Sequence, residues 1–249
     1  MISMRSMLRL MKGWWNRRYP DWVPEIALRY LPVVEMIRAQ PARGAILEVG
    51  VNRSGLTTYL PVPVIGVDCM LGTVRSPLVA PIVAMGQALP FQSMAFDYTV
   101  CMDTLEHIEA SDRNQFLAEL MRVTRRRVYL GCPMGHDAED ADRQLQSEYR
   151  LHKGESFPFL DEHLTNGLPR LEGILALMQA VAQHSGRRVH LYAQPNVNVL
   201  VHRLLLRLWM RTDPVSYAFH RAAVLLVHVR QWLNVGTCYR QIVVAEFEP

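Results

Sequence analysis

Five short apolar runs, separated by helix-like or turn-rich stretches, constrain this chain more than any other feature. They fall at about Ala45–Gly50, Val64–Asp68, Pro81–Ala84, Asp97–Asp103 and Arg127–Cys132. Most are apolar on both faces (Ile46, Leu47, Val49; Val64, Ile65, Val67), the pattern of central parallel strands covered by helices on either side. With 249 residues, half of them apolar and 20% charged, there is enough material for one α/β domain with a modest insertion.

The intervening segments read as helices. Ser111 is placed to cap a helix whose stripe is Phe116, Leu117, Leu120, Met121 and Val123. Pro169 suits a first helical position, and Leu171, Ile174, Leu175, Met178 and Val181 follow it until Gly186. Arg188–Ala193 and Tyr239–Phe247 read as two late strands. The polar stretch 133–168 is expected to be a substrate or lid loop at the carboxyl end of a strand, where open α/β sheets bind ligands.

Charge is distributed unevenly around a sum of +4. Residues 1–30 carry Arg5, Arg9, Lys12, Arg17, Arg18 and Arg29 against Asp21 and Glu25, and 198–234 carry five arginines against Asp213. The chain therefore divides into a basic amphipathic segment, 1–30, and a domain, 31–249, with a helical insertion at 197–235. Leu204, Leu205, Leu206, Leu208, Trp209, Leu225, Leu226 and Trp232 stand among the insertion's arginines. Two readings stay open: peripheral membrane contact through 1–18 and 197–235, or a helical hairpin packed on the domain or on a second subunit. Neither stretch is a continuous spanning or signal segment, since arginines interrupt both. Nucleic acid is not an expected partner, because no reader motif accompanies the basic residues. Four cysteines, at least 31 residues apart, indicate no disulfide framework or zinc ribbon, and a reducing cytoplasmic setting is expected, at the membrane's inner face if the patches meet lipid.

The most specific motif is Ile46-Leu-Glu48-Val-Gly50-Val-Asn52-Arg-Ser-Gly55, a strand ending in an acid and a glycine-punctuated turn. A second strand ends in Asp68. A carboxylate at a strand tip can accept both ribose hydroxyls of a nucleoside, and a glycine turn lets backbone approach the ligand. Leu89-Pro-Phe and then Phe96-Asp97 and Asp103-Thr-Leu-Glu106-His107-Ile follow in order.

These residues resemble the class I S-adenosylmethionine-dependent methyltransferases, closely over 41–133. The resemblance implies a Rossmann-like, doubly wound, mostly parallel seven-stranded α/β sheet with an antiparallel last strand, and S-adenosylmethionine as cofactor. It implies that Glu48 orients the methionine ammonium, that Gly50, Asn52 and Gly55 wrap methionine and ribose, and that Asp68, with Cys69 beside it, binds the ribose. Gln87, Ala88 and Leu89 would flank adenine, with Met102 and Asp103 near the active-site entrance. The sequence departs from the pattern in its displaced Gly55 and in Met85, which stands where an acid is usual.

A base is needed only if the methyl acceptor must shed a proton. His107 and His163, the latter beside Glu162, are the candidates; each also reads as an ordinary helix-start or loop histidine. His136, Asp137, Asp140 and Asp142 fit no calcium-loop spacing, and no metal site is expected. The function that emerges is methylation of a small or lipid-linked acceptor, of envelope polysaccharide, glycolipid or quinone type. A non-catalytic scaffold and a NAD(P)-dependent oxidoreductase are the alternatives, and an oligomer is allowed.

Overall fold

The computed structural model describes residues 13, 15–20, 22–40, 44–51, 54–72 and 74–248. Seven strands form one sheet: β1 (Ile46–Val49), β2 (Val64–Asp68), β3 (Val79–Val83), β4 (Phe96–Met102), β5 (Thr124–Pro133), β6 (Val189–Asn198) and β7 (Cys238–Phe247). Their spatial order is β3-β2-β1-β4-β5-β7-β6. β1 pairs in parallel with β2 and β4, while β7 runs antiparallel to both β5 and β6. This is the expected doubly wound sheet with its antiparallel last strand.

Alternation along each strand divides the core between two faces. Leu47 and Val49 meet Phe116, Leu117 and Leu120 of α2 (Arg113–Val123) and Ile174 and Met178 of α5 (Leu171–His184). Ile46, Tyr98, Val100 and Tyr129 meet Leu28, Val33 and Val34 of α1 (Pro24–Arg38) on the other face. Residues 30 and 31 both lie inside α1. The insertion covers the same face as α1, through Leu205 of α6 (Val199–Met210) and Val227 of the 3-10 segment Ala223–Asn234 that follows α7 (Pro214–Ala222).

Several boundaries differ from the sequence expectation. α2 starts at Arg113 with Asp112 before it, so Ser111 does not cap it; the polar turn simply runs longer. α5 starts at Leu171, and Pro169 precedes it, its carbonyl accepting from the Gly135 N–H. β6 extends beyond Ala193 through Pro195, which an edge strand tolerates. The glycine turn after β1 leads only to a 3-10 turn, Gly55–Thr58, as Pro61 and Pro63 require.

The largest correction concerns 133–168, which is not a loop but two helices, α3 (His136–Lys153) and α4 (Pro158–Asn166). The buried stripe of α3 is Ala138, Ala141, Asp142, Leu145 and Gln146, so two alanines and two polar residues hide its period. Acids in its first turn, Arg150, His152 and Lys153 in its last, and Gly154 at φ +75° supply the remaining helix signals. Among the described residues no helix is long and apolar enough to cross a membrane.

Candidate active site

The strand order reverses at β1, whose neighbours are β2 and β4, so a crevice is expected beyond the carboxyl ends of these strands. A cleft of about 60 Å³ lies there. Gly50, Asp68, Cys69 and Gln87 all line it, bringing together four residues singled out in the sequence. Thr104, Ile108 and Gly86 also line it, and the sequence reading missed them. A wider groove of about 800 Å³ lies between α2 and α5, bordered by Met94 and Arg122. Since Met94 precedes β4 and Arg122 precedes β5, it sits at the amino ends of strands, away from the crevice.

The loop around the cleft is built on β1. Gly50 has φ +83°, and a Cβ there would run into the Thr104 side chain. Glu48 lies fully buried beneath the loop, accepting from the Tyr30 hydroxyl (2.7 Å) and from the Leu56 N–H (2.9 Å). Burial pushes its carboxyl up to about 7 against these two hydrogen bonds. Gly55, at φ +47°, packs directly on that carboxyl group. Glu48 thus ties strand, α1 and glycine turn together. Asn52 lies outside the described residues.

Asp68 accepts the Met70 N–H on Oδ1 (2.9 Å), leaving its second oxygen for a ligand. Gln87, which lines the cleft, has its Oε1 buried without a hydrogen-bond partner. These acceptors beside a positive-φ glycine match the polar groups of an adenosyl cofactor, and the cleft must widen from about 60 Å³ to admit it. Ala88 and Leu89 do not line the cleft: Leu89 is buried in the core and its N–H donates to Glu119. Met102 also faces the core, against Gly131.

Asp103 stands at φ +49° at the tip of β4, held by Arg240 on both oxygens (2.5 Å each) and by Arg29 (2.7 Å). Burial would raise its carboxyl, but the two guanidinium charges hold it at about 2. Arg29 on α1 and Arg240 on β7 were not legible as partners because nothing local links them.

Beyond Asp103, the 3-10 turn Leu105–His107 carries a buried polar cluster. Glu106 is fully buried and neither carboxylate oxygen has a partner. Burial and the Asp103 charge push it up to about 8. The two histidines, far apart in sequence, meet here with ring centroids 4.8 Å apart. His163 on α4 bonds Asp142 through Nδ1 (2.8 Å), and Asp142 accepts the Tyr239 hydroxyl on its other oxygen (2.8 Å). Burial opposes the charged imidazole, yet the Asp142 hydrogen bond and the carboxylates around it raise its affinity for a proton. His107 bonds Glu162 through Nδ1 (2.6 Å), but burial and the neighbouring His163 lower its proton affinity. Of the acidic residues weighed as calcium ligands, only Asp142 is buried; His136, Asp137 and Asp140 lie exposed on α3.

Residues 47–132 match the family described as the methyltransferase domain. No curated protein sequence matches the chain. Among solved structures, it is similar to a Thermotoga maritima S-adenosylmethionine-dependent methyltransferase described as a possible histamine N-methyltransferase, at 15% identity over 98% of this chain and 97% of that one, with a TM-score of 0.52. The plantazolicin methyltransferase BpumL, solved with S-adenosylhomocysteine and a triazolic desmethylPZN analog, gives 7% identity, 97% and 91% coverage and a TM-score of 0.56. Phosphoethanolamine N-methyltransferase 2 of Haemonchus contortus, bound to S-adenosylmethionine, gives 15% identity and a TM-score of 0.54 over 88% of this chain and 52% of that protein.

Proposed function

From a chain with the fold of the S-adenosylmethionine-dependent methyltransferases and a methyltransferase domain over residues 47–132, we propose methyl transfer from S-adenosylmethionine to a hydroxyl group of a small or lipid-linked acceptor. The observation that carries the reading is the cleft at the strand reversal, with Gly50 as its glycine floor, Asp68 at a strand tip and the unpartnered Gln87 Oε1 beside them. Bound there, the cofactor supplies a sulfonium methyl group for in-line displacement, so the protein's main contribution is alignment. Asp68 holds the ribose, Gln87 the adenine amino group, and Glu48 keeps the Gly50–Gly55 loop in place from beneath.

The acceptor end is the turn between Thr104 and Ile108, both of which line the cleft. His107, Glu106 and His163 are grouped there, and a hydroxyl acceptor would leave its proton with that cluster as its oxygen takes the methyl group. A hydroxyl is favoured over an already nucleophilic amine because His107, its proton affinity lowered by burial and by His163, stands ready to accept a proton there.

Calorimetric titration with S-adenosylmethionine, S-adenosylhomocysteine and NAD is the test. Binding of the two adenosyl compounds and not of NAD is expected. A charged hydrogen bond is worth roughly 1.5–3 kcal/mol, so losing the ribose contact in Asp68→Ala should weaken binding by about 10–100-fold. Unchanged affinity in that variant would remove the pocket assignment.

Lipid linkage of the acceptor is supported by the insertion, where Leu200, Leu204, Phe219 and Trp232 are all more than half exposed. Three of its five arginines are paired within the protein: Arg207 with Glu148, Arg221 with the Trp22 carbonyl and Arg230 with Glu35. Vesicle co-sedimentation should therefore depend on Phe219 and Trp232 more than on salt. Binding lost in high salt, or unaffected by Phe219→Ser with Trp232→Ser, would point away from apolar insertion.

A further inference from the structure

We propose that Glu106, His107 and His163 form a binding site for a divalent first-row transition ion of the zinc or iron(II) type. One ligand atom from each of the three lies within 4.8 Å of the other two. His163 Nε2 stands 3.9 Å from Glu106 Oε1. Ligand atoms on a tetrahedral ion are about 3.3 Å apart, given bonds of about 2.0–2.1 Å. Closing the 3.9 Å separation asks for side-chain rotation of Glu106, whose oxygens make no hydrogen bond that rotation would break.

Three features separate this cluster from an ordinary buried polar patch. First, both oxygens of a fully buried carboxylate lack a hydrogen-bond partner, an arrangement that costs free energy unless a cation or proton completes it. Second, each imidazole is oriented by its own carboxylate. Asp142 takes the Nδ1 hydrogen of His163 and is itself anchored by Tyr239, and Glu162 bonds Nδ1 of His107. Carboxylates in this outer position fix the tautomer and raise the basicity of metal-binding histidines. Third, the turn is braced from outside the cluster. Asn166 donates to the His107 carbonyl (3.1 Å), and Arg113 bridges the Ile108 and Gly167 carbonyls (3.1 and 2.6 Å).

Two imidazoles and one carboxylate, with no thiolate, suit zinc or iron(II) better than calcium or magnesium. Three protein ligands would leave a coordination position open, as in catalytic rather than structural sites. With the ion bound the three side chains are ligands and not proton acceptors; ion binding itself does not rest on the methyltransferase reading.

The test is titration of the chelator-stripped, dialysed protein with Co²⁺ and then Zn²⁺, followed by visible absorption and heat. One equivalent of Co²⁺ should bind with the ligand-field bands of a four- or five-coordinate nitrogen and oxygen site, and Zn²⁺ should displace it. Loss of an outer carboxylate typically costs 10–100-fold in affinity, so removing a ligand in Glu106→Gln should cost about 100-fold or more. His107→Gln, at a partly exposed position, provides a second variant should Glu106→Gln fail to fold. Asp68→Ala should lose S-adenosylmethionine yet keep Co²⁺, which separates failure of this site from failure of the cofactor pocket. No bound equivalent in the unsubstituted protein, or unchanged affinity in either ligand variant, would overturn the proposal.

Discussion

Gly55→Ala is expected to destabilise the protein by about 3 kcal/mol or more, whereas Gly154→Ala should cost only about 1–2 kcal/mol. Both glycines adopt positive φ, +47° and +75°, so both variants incur the left-handed penalty of roughly 1–2 kcal/mol. The difference lies in what a Cβ meets. At Gly154, the end of α3, there is nothing within 4 Å. At Gly55 the new methyl group would overlap the Glu48 carboxyl group, which must move and release the Leu56 N–H and Tyr30 hydroxyl. Each buried group left unpaired costs about 1–3 kcal/mol. Urea denaturation of the two variants beside the unsubstituted protein measures this contrast. Equal losses would show that Gly55 serves only its backbone angle and that the Glu48 contact contributes nothing.

That contact also shows how far the sequence could be read. β1, β2 and β4 and the stripe of α2 were legible because each buries a continuous apolar set with a clear period. Gly50, Asp68 and Gln87 were legible because the signal is local: a strand end, a turn and a short motif at fixed spacing. α3 was not, since its buried side includes Asp142 and Gln146, and a period read from apolar residues cannot register polar groups buried in pairs. The polar cluster was hidden for a related reason. Glu106 belongs to a recognisable motif, but its burial follows from α4 docking on the turn, and α4 buries only Leu160 and His163, too few apolar residues to set a period. Arg29 and Arg240 come from α1 and β7, distant in sequence, and only the assembled sheet with α1 on its face brings both to Asp103.

Glu48 leads to the second large effect, a pH dependence whose sign can be worked out. Its carboxyl is raised from about 4.5 to about 7 in the folded protein, mainly by burial. Between those values the folded state holds a proton that the unfolded state has released. Stability from this group is therefore fully present below pH 4.5, falls as pH rises and is gone above about 7. The shift corresponds to about 3 kcal/mol. Glu106, raised to about 8, acts in the same direction, so the unsubstituted protein alone cannot isolate Glu48. Glu48→Gln removes the titration while keeping a carbonyl oxygen for Tyr30 and Leu56. The difference in unfolding free energy between the unsubstituted protein and Glu48→Gln should then drop by about 3 kcal/mol from pH 4.5 to 7 and stay level beyond. A difference that is flat with pH, or that grows as pH rises, would mean that Glu48 is ionised in the fold, its charge held by the loop's N–H groups rather than suppressed by burial.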